Sequence, residues 1–353
     1  PVDGDPVVRQ MYVDRAANPC EPSRSNDIVR EIGRVIDDYT GFVSPSTGEL
    51  LPIENIVIIG DDRQIPMANM VDDANYSNER TFAQGFEGND DSIAALVAGM
   101  YRSDDPYGAD AGIRVRDHEL FVPERAVGRL LETPEEITRS LQNFVDFGGR
   151  LDPATEARTA LQTGYEFLED GAELNAANLA NLDDEAATDN VVERLFEFGP
   201  DGFVWEDEDL IEALTRDLAI EPNLEVIGIH AHFDENNALP AYDNYNPRVT
   251  DDDDPRFSVP GDPTGASEAA RDPLFSSDEL PDNITDAIVY SMGCHSGYSL
   301  SDIQIFGGLE GSAPDWAQAL TGERTNAFIG NTGFGYGDTE RIALTEQLTA
   351  IFA

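Results

Sequence analysis

Lysine is absent from the 353 residues: all 22 basic side chains are arginine, set against 70 aspartates and glutamates for a formal charge of −48. Without lysine there is no Walker-type phosphate loop, so the glycines between Gly330 and Gly337 read as a tight strand-to-helix turn. A surface this acidic repels phosphates, which excludes nucleic acid as a partner class. Cysteine is nearly absent too: Cys20 and Cys294 are too few for a disulfide framework. No apolar run approaches the roughly 20 residues of a membrane-spanning helix, and no G-x-S-x-G elbow offers serine hydrolase chemistry. Apolar residues nevertheless make up 40% of the chain, with 17 Phe and 11 Tyr, ample for a folded core. Repulsion on this scale is tolerable where molar salt shortens the screening length to roughly 3 Å, so a halophilic protein is expected.

Apolar periodicity and turn residues divide the chain into alternating strands and helices. Val7 to Val13 reads as a strand, and Ile28, Ile32, Val35 and Ile36 as a helical stripe capped by Asn26. Asn55 to Gly60 reads as a buried strand ending in the acidic turn Asp61-Asp62, and a loop-rich stretch follows from Pro66 to Asp117. Thr133, Pro134 and Glu136 spell a helix start, with Ile137, Leu141, Phe144 and Val145 on one face and a stop at Gly148-Gly149. A second series opens with Arg158 to Thr163 and continues through helical segments near Val191–Phe198 and Asp209–Leu218. The pattern predicts an α/β protein, a mainly parallel sheet flanked by helices, in two α/β subdomains over 1–152 and 153–353. The chain starts without Met and stops within a helix predicted from Thr339 to Phe352, so a piece of a longer protein is expected.

Two apolar runs climb into reactive side chains: Leu224-Glu225-Val226-Ile227-Gly228-Ile229-His230-Ala231-His232, and Ala287-Ile288-Val289-Tyr290-Ser291-Met292-Gly293-Cys294. Both read as buried parallel strands, and in open α/β sheets chemistry collects beyond the carboxyl ends of such strands. A histidine on one end and a cysteine on another form a thiolate–imidazole pair. Three other readings stand beside this one. An apolar run ending in cysteine also fits an inert buried thiol. His230, His232 and Asp234 have the H-x-H-x-D spacing of metal-dependent hydrolases, although only His118 and His295 remain as further histidines. His118, between Asp117 and Glu119, reads as a solvated ion-pairing residue, and His295 as structural or substrate-facing. The long polar stretch from Pro240 to Asp282 carries Asp251, Asp252, Asp253 and Asp254, which are calcium ligands or a solvated loop.

Four further segments accompany the runs in order. They are Ile59-Gly60-Asp61-Asp62-Arg63-Gln64-Ile65-Pro66; Val122-Pro123-Glu124-Arg125-Ala126-Val127-Gly128-Arg129-Leu130 leading into Glu132-Thr133-Pro134; Gly293-Cys294-His295-Ser296-Gly297; and Ile329 to Asp338. Together with strand-His followed by strand-Gly-Cys, this resembles the gingipain-type cysteine peptidases of caspase-like fold. The resemblance implies a cysteine endopeptidase acting on protein or peptide substrates, secreted or at the cell surface, with no required cofactor. It makes Cys294 the nucleophile and His232 its partner, because Ala231-His232 matches the small residue and histidine of the family pattern; His230 fits if Ala231 replaces the glycine that follows. Phe233 stands after His232 where the family has that glycine. Gly293, Phe233 and Gly297 would line the oxyanion site and cleft, with the glycines admitting the substrate backbone. The competing class is a caspase-like surface binding or adhesion module without activity. The oligomeric state is not legible.

Overall fold

The computed structural model describes residues 2–50, 52–75, 77–83, 91–116, 118–146, 159–164, 168–180, 191–196, 205, 207–215, 223–234, 237–239, 275–281, 284, 286–299, 314–322, 325–337 and 341–352. The chain forms two compact units, one built on Pro1–Thr133 and the other on Pro134–Ser299 and Gly311–Ala353, so the division falls ahead of the 152/153 boundary.

The first unit opens with α1 (Pro6–Ala17) and α2 (Ser23–Thr40). The strand predicted over Val7 to Val13 is therefore helix. Asp5 decides it: its carboxylate accepts the N–H groups of Val7 at 2.7 Å and Val8 at 3.2 Å, and Pro6 takes the first helical position, which together outweigh the β-branched run. Asn26 lies inside α2 instead of capping it. Its amide grips the backbone of Asn69 on both sides, donating to the Asn69 carbonyl at 2.9 Å and accepting the Asn69 N–H at 2.7 Å.

The remaining strands are β1 (Asn55–Ile59), β2 (Ala68–Val71), β3 (Met100–Ser103), β4 (Gly112–Val115), β5 (His118–Phe121) and β6 (Ala126–Leu130). They pair as parallel β1–β6, antiparallel β2–β3 and antiparallel β4–β5. Short helices α3 (Glu79–Phe82), α4 (Asp91–Val97) and α5 (Asp105–Gly108) fall between them. The stretch expected to be loop-rich thus holds three strands and three helices, too short individually to give a periodic signal. Strand β1 is also less buried than its apolar run implies: Ile56 and Ile58 face the core of this unit, while Val57, 62% exposed, and Ile59, 58% exposed, alternate to the opposite face.

The turn after β1 carries a buried ionic network. Asp62 pairs with Arg102, which has no exposed surface, and with Arg15 at 3.0 Å. Arg15 reaches Asp91 at 3.2 Å, and Asp91 accepts from the Ser25 hydroxyl. Truncating one member of a buried, hydrogen-bonded pair strands the other charge and costs about 3–5 kcal/mol. Arg102→Met is expected to lose that much on urea unfolding in molar salt, and Asp62→Asn with Arg102→Met to recover much of it; a single-variant loss below about 1 kcal/mol would contradict the network's role.

The second unit contains α6 (Pro134–Asp146), β7 (Thr159–Gly164), α7 (Glu169–Ala180), β8 (Val191–Phe196), α8 (Asp207–Leu214), β9 (Val226–Gly228), β10 (His232–Phe233), β11 (Asn237–Leu239), β12 (Phe275–Ser276), β13 (Ile288–Tyr290), α9 (Trp316–Gly322), β14 (Ala327–Ile329) and α10 (Thr345–Phe352). The expected face of α6 is largely open, with Leu141 46%, Phe144 60% and Val145 66% exposed. The segment Val191–Phe196 is a strand and not a helix, its β-branched start laid parallel to the fully buried β7. Five parallel strands form one sheet in the order β14-β13-β9-β7-β8. On one face Leu161, Ile227 and Val289 pack with Leu210 of α8 and Trp316 and Leu320 of α9; on the other, Met292 joins Ala172 of α7. The chain enters at β7, steps out to β8 and returns past β7 to β9, so a topological switch point lies between β7 and β9.

Candidate active site

β9 and β13 are direct parallel neighbours, Ile227 facing Val289 and Gly228 facing Tyr290, so their carboxyl ends deliver the histidine and cysteine segments side by side. The first run is not one strand. β9 stops at Gly228, and the chain turns through Ile229, His230 and Ala231 before β10 begins at His232 in a separate three-stranded antiparallel sheet with β11 and β12. Alternation along a single strand therefore does not relate the two histidines, and their environments differ sharply.

His230 is completely buried and both ring nitrogens are engaged. Nδ1 accepts the Met292 N–H at 3.2 Å, and Nε2 lies 3.3 Å from Gln162 Oε1, which fixes the proton on Nε2. The Tyr290 hydroxyl donates to the same Gln162 oxygen at 2.8 Å, and the Tyr290 ring stands 5.3 Å from the imidazole. Across the switch point the His230 N–H donates to Thr163 Oγ1 at 2.7 Å, and the Thr163 hydroxyl donates back to the His230 carbonyl at 3.1 Å. Burial lowers the His230 pKa to about 3, so the ring stays neutral and locked. Its geometry is that of a brace holding the main chain two residues before Cys294.

His232 is partly exposed at the start of β10. The residue after it, Phe233, is 7% exposed, stacks 5.2 Å from Trp316, and lies against the residue before Cys294. A Cβ on Gly293 would fall 2.3 Å from the Phe233 ring and 2.9 Å from the Ala231 carbonyl. Gly293 therefore makes room for Phe233. Gly297 is as closely packed, since a Cβ there would sit 2.4 Å from the Gly330 carbonyl: the glycine lets two main chains touch.

Cys294 is half-buried, its Sγ 3.5 Å from the Gly335 carbonyl. It opens a tight turn in which His295 takes a left-handed conformation, φ +56°, uncommon outside glycine. The His295 ring is buried edge-on to Phe334 at 4.5 Å, a structural placement. Ser296 Oγ donates to the Gly293 carbonyl at 3.0 Å, and Asn331 Nδ2 donates to the carbonyls of Met292 at 2.8 Å and Gly293 at 3.1 Å. The loop after β14, expected as a strand-to-helix turn, does lead from β14 toward α10, and it clamps the cysteine turn from the side.

Gln162, Thr163 and Asn331 were not legible as site residues, although the adjacent polar pair Gln162-Thr163 near the carboxyl end of the buried strand Thr159-Ala160-Leu161-Gln162-Thr163-Gly164 was a signal. His118 stands 3.6 Å from Asp73, in keeping with an ion-pairing role, and Cys20 is exposed on the other unit. Among the described residues no three His, Cys, Asp or Glu side chains converge to hold a metal ion. Asp251, Asp252, Asp253 and Asp254 lie outside the described residues. No helix among the described residues is long and apolar enough to cross a membrane. No protein-family model, no curated protein and no solved structure matches this chain.

Proposed function

We propose that the chain is a cysteine endopeptidase of caspase-like fold, with Cys294 as nucleophile and His232 as its acid–base partner. The observation that carries this reading is the packing of Phe233 on Gly293, which seats the residues flanking His232 and Cys294 against each other beyond adjoining parallel strands. The Cys294 thiolate attacks the scissile carbonyl carbon while the His232 imidazolium protonates the departing amine; water then hydrolyses the thioester, returning the thiol. The Cys294 N–H is the first oxyanion donor in this scheme. His230 acts through Met292 as a positioning residue. Its substrates are proteins or peptides outside the cell, and no cofactor takes part; calcium at Asp251 to Asp254 would be structural. A module that binds without cutting is the second reading, favoured by Phe233 in place of the small residue an open cleft wants after the histidine.

A peptidyl acyloxymethylketone, which needs an activated thiolate, separates these. It is expected to label Cys294 and spare Cys20 in molar salt. His232→Ala should slow labelling by about 100-fold or more, and His230→Gln by about tenfold without moving its pH dependence. A loss from His230→Gln that exceeds the loss from His232→Ala would overturn His232 as the base, and an unlabelled parent chain would leave the binding module.

A further inference from the structure

The first unit holds a cleft of about 570 Å³, far from small for a ligand site, between α2, the β2–β3 pair and the β4–β5 pair. Its floor is apolar, made by Val29, Met70, Met100 and Phe121. Two features of its walls bear on what it could hold. Gly33 sits in the interior of α2, where glycine is unfavourable relative to alanine, yet a Cβ there would meet no atom within 4 Å: the missing side chain leaves the cleft open and serves no packing contact. Arg114 is exposed and forms no ion pair or hydrogen bond within the described residues, although Glu119 stands opposite it in the β4–β5 register and the chain carries a charge of −48.

We propose that this cleft binds the C-terminal end of a peptide with an apolar last side chain. The side chain lies on the Met70 and Met100 floor, which adapts to shape. The terminal carboxylate takes the Arg114 guanidinium in a bidentate, charge-assisted pair. Arg30 and Arg34 also line the cleft but are already paired, Arg30 with Asp27 and Arg34 with Glu31 and Asp38, and Asp37, Asp110 and Glu119 stand there too, so a ligand with a second negative charge is disfavoured and phosphate is a poor fit.

The minimal probe is N-acetylphenylalanine, which has no bond between amino acids to cut, so the outcome is independent of the peptidase reading. Binding to the full chain in molar salt, followed by ligand-observed NMR, is expected with a Kd on the order of 1 mM. The corresponding amide should bind at least about tenfold more weakly, and inorganic phosphate should not compete. Arg114→Gln should bring the acid down to the amide's affinity. Gly33→Leu, which favours the helix while filling the cleft, should abolish binding with the melting temperature held or raised. Equal affinity for acid and amide, competition by phosphate, or full binding to a folded Gly33→Leu chain would each overturn the proposal, as would no saturable binding at all.

Discussion

Cys294→Ala is expected to lower peptide hydrolysis in molar salt by at least about 10⁴-fold with an unchanged melting temperature. Without the sulfur no thioester forms, and positioning alone leaves only a small residual rate. The fold should not notice, because the turn is held by other atoms: Ser296 and Asn331 side chains on the Met292 and Gly293 carbonyls, and main-chain bonds from Gly297 to Asn331 and from His295 to Gly333. Cys20→Ala, on the other unit, should leave turnover at the parent rate. Retained cleavage in the Cys294 variant would remove the peptidase assignment outright.

The second large effect is on stability and concerns salt. With 70 acidic against 22 basic residues, most carboxylates have no counter-charge in the chain, and the surface arginines that do pair, such as Arg24 with Glu21 and Arg30 with Asp27, are local contacts of small worth. Repulsion among the rest is long-ranged in dilute buffer and fades as the screening length falls from roughly 10 Å to a few Å. Raising salt from about 0.1 to 2 M should lift the melting temperature by on the order of 20 °C, with sodium and potassium chloride nearly equivalent. If millimolar calcium in dilute buffer gave the same gain, specific carboxylate sites would be responsible, with Asp251 to Asp254 the first to replace. Indifference to all three salts would refute screening as the meaning of the composition.

The parallel sheet was legible because its inner strands are short β-branched runs, Val226-Ile227 and Ile288-Val289, that no amphipathic helix would carry. The segment Val7 to Val13 misled for the same reason in reverse: a Val-Val start looks extended until Asp5 and Pro6 are weighed as a cap. For Val191–Phe196, a six-residue run with charges at Glu193 and Arg194 is ambiguous between an edge strand and a helical turn, and only pairing with β7 resolves it. At the site, the sequence pointed to the two strand ends and left two histidines open. What separates them is tertiary: Gln162 and Thr163, distant in the chain, enclose His230, while the break after Gly228 carries His232 into another sheet. The ion network around Arg102 was invisible for a related reason, since its members come from α1, α2, α4, β3 and the turn after β1.

The short pairing of β11 with β12 bears on how the site histidine is held. Ala238 faces Phe275 across that ladder, so two strands far apart in the chain are pinned one strand spacing apart, about 4.8 Å. On its other edge β11 lies beside β10, where His232 faces Leu239 and Phe233 faces Ala238. The middle strand of a three-stranded ladder is hydrogen-bonded along both edges, so β10 rests on a strand that is itself held from the far side. His232 thereby owes its address to a strand that comes later in the chain, β12, as well as to its own.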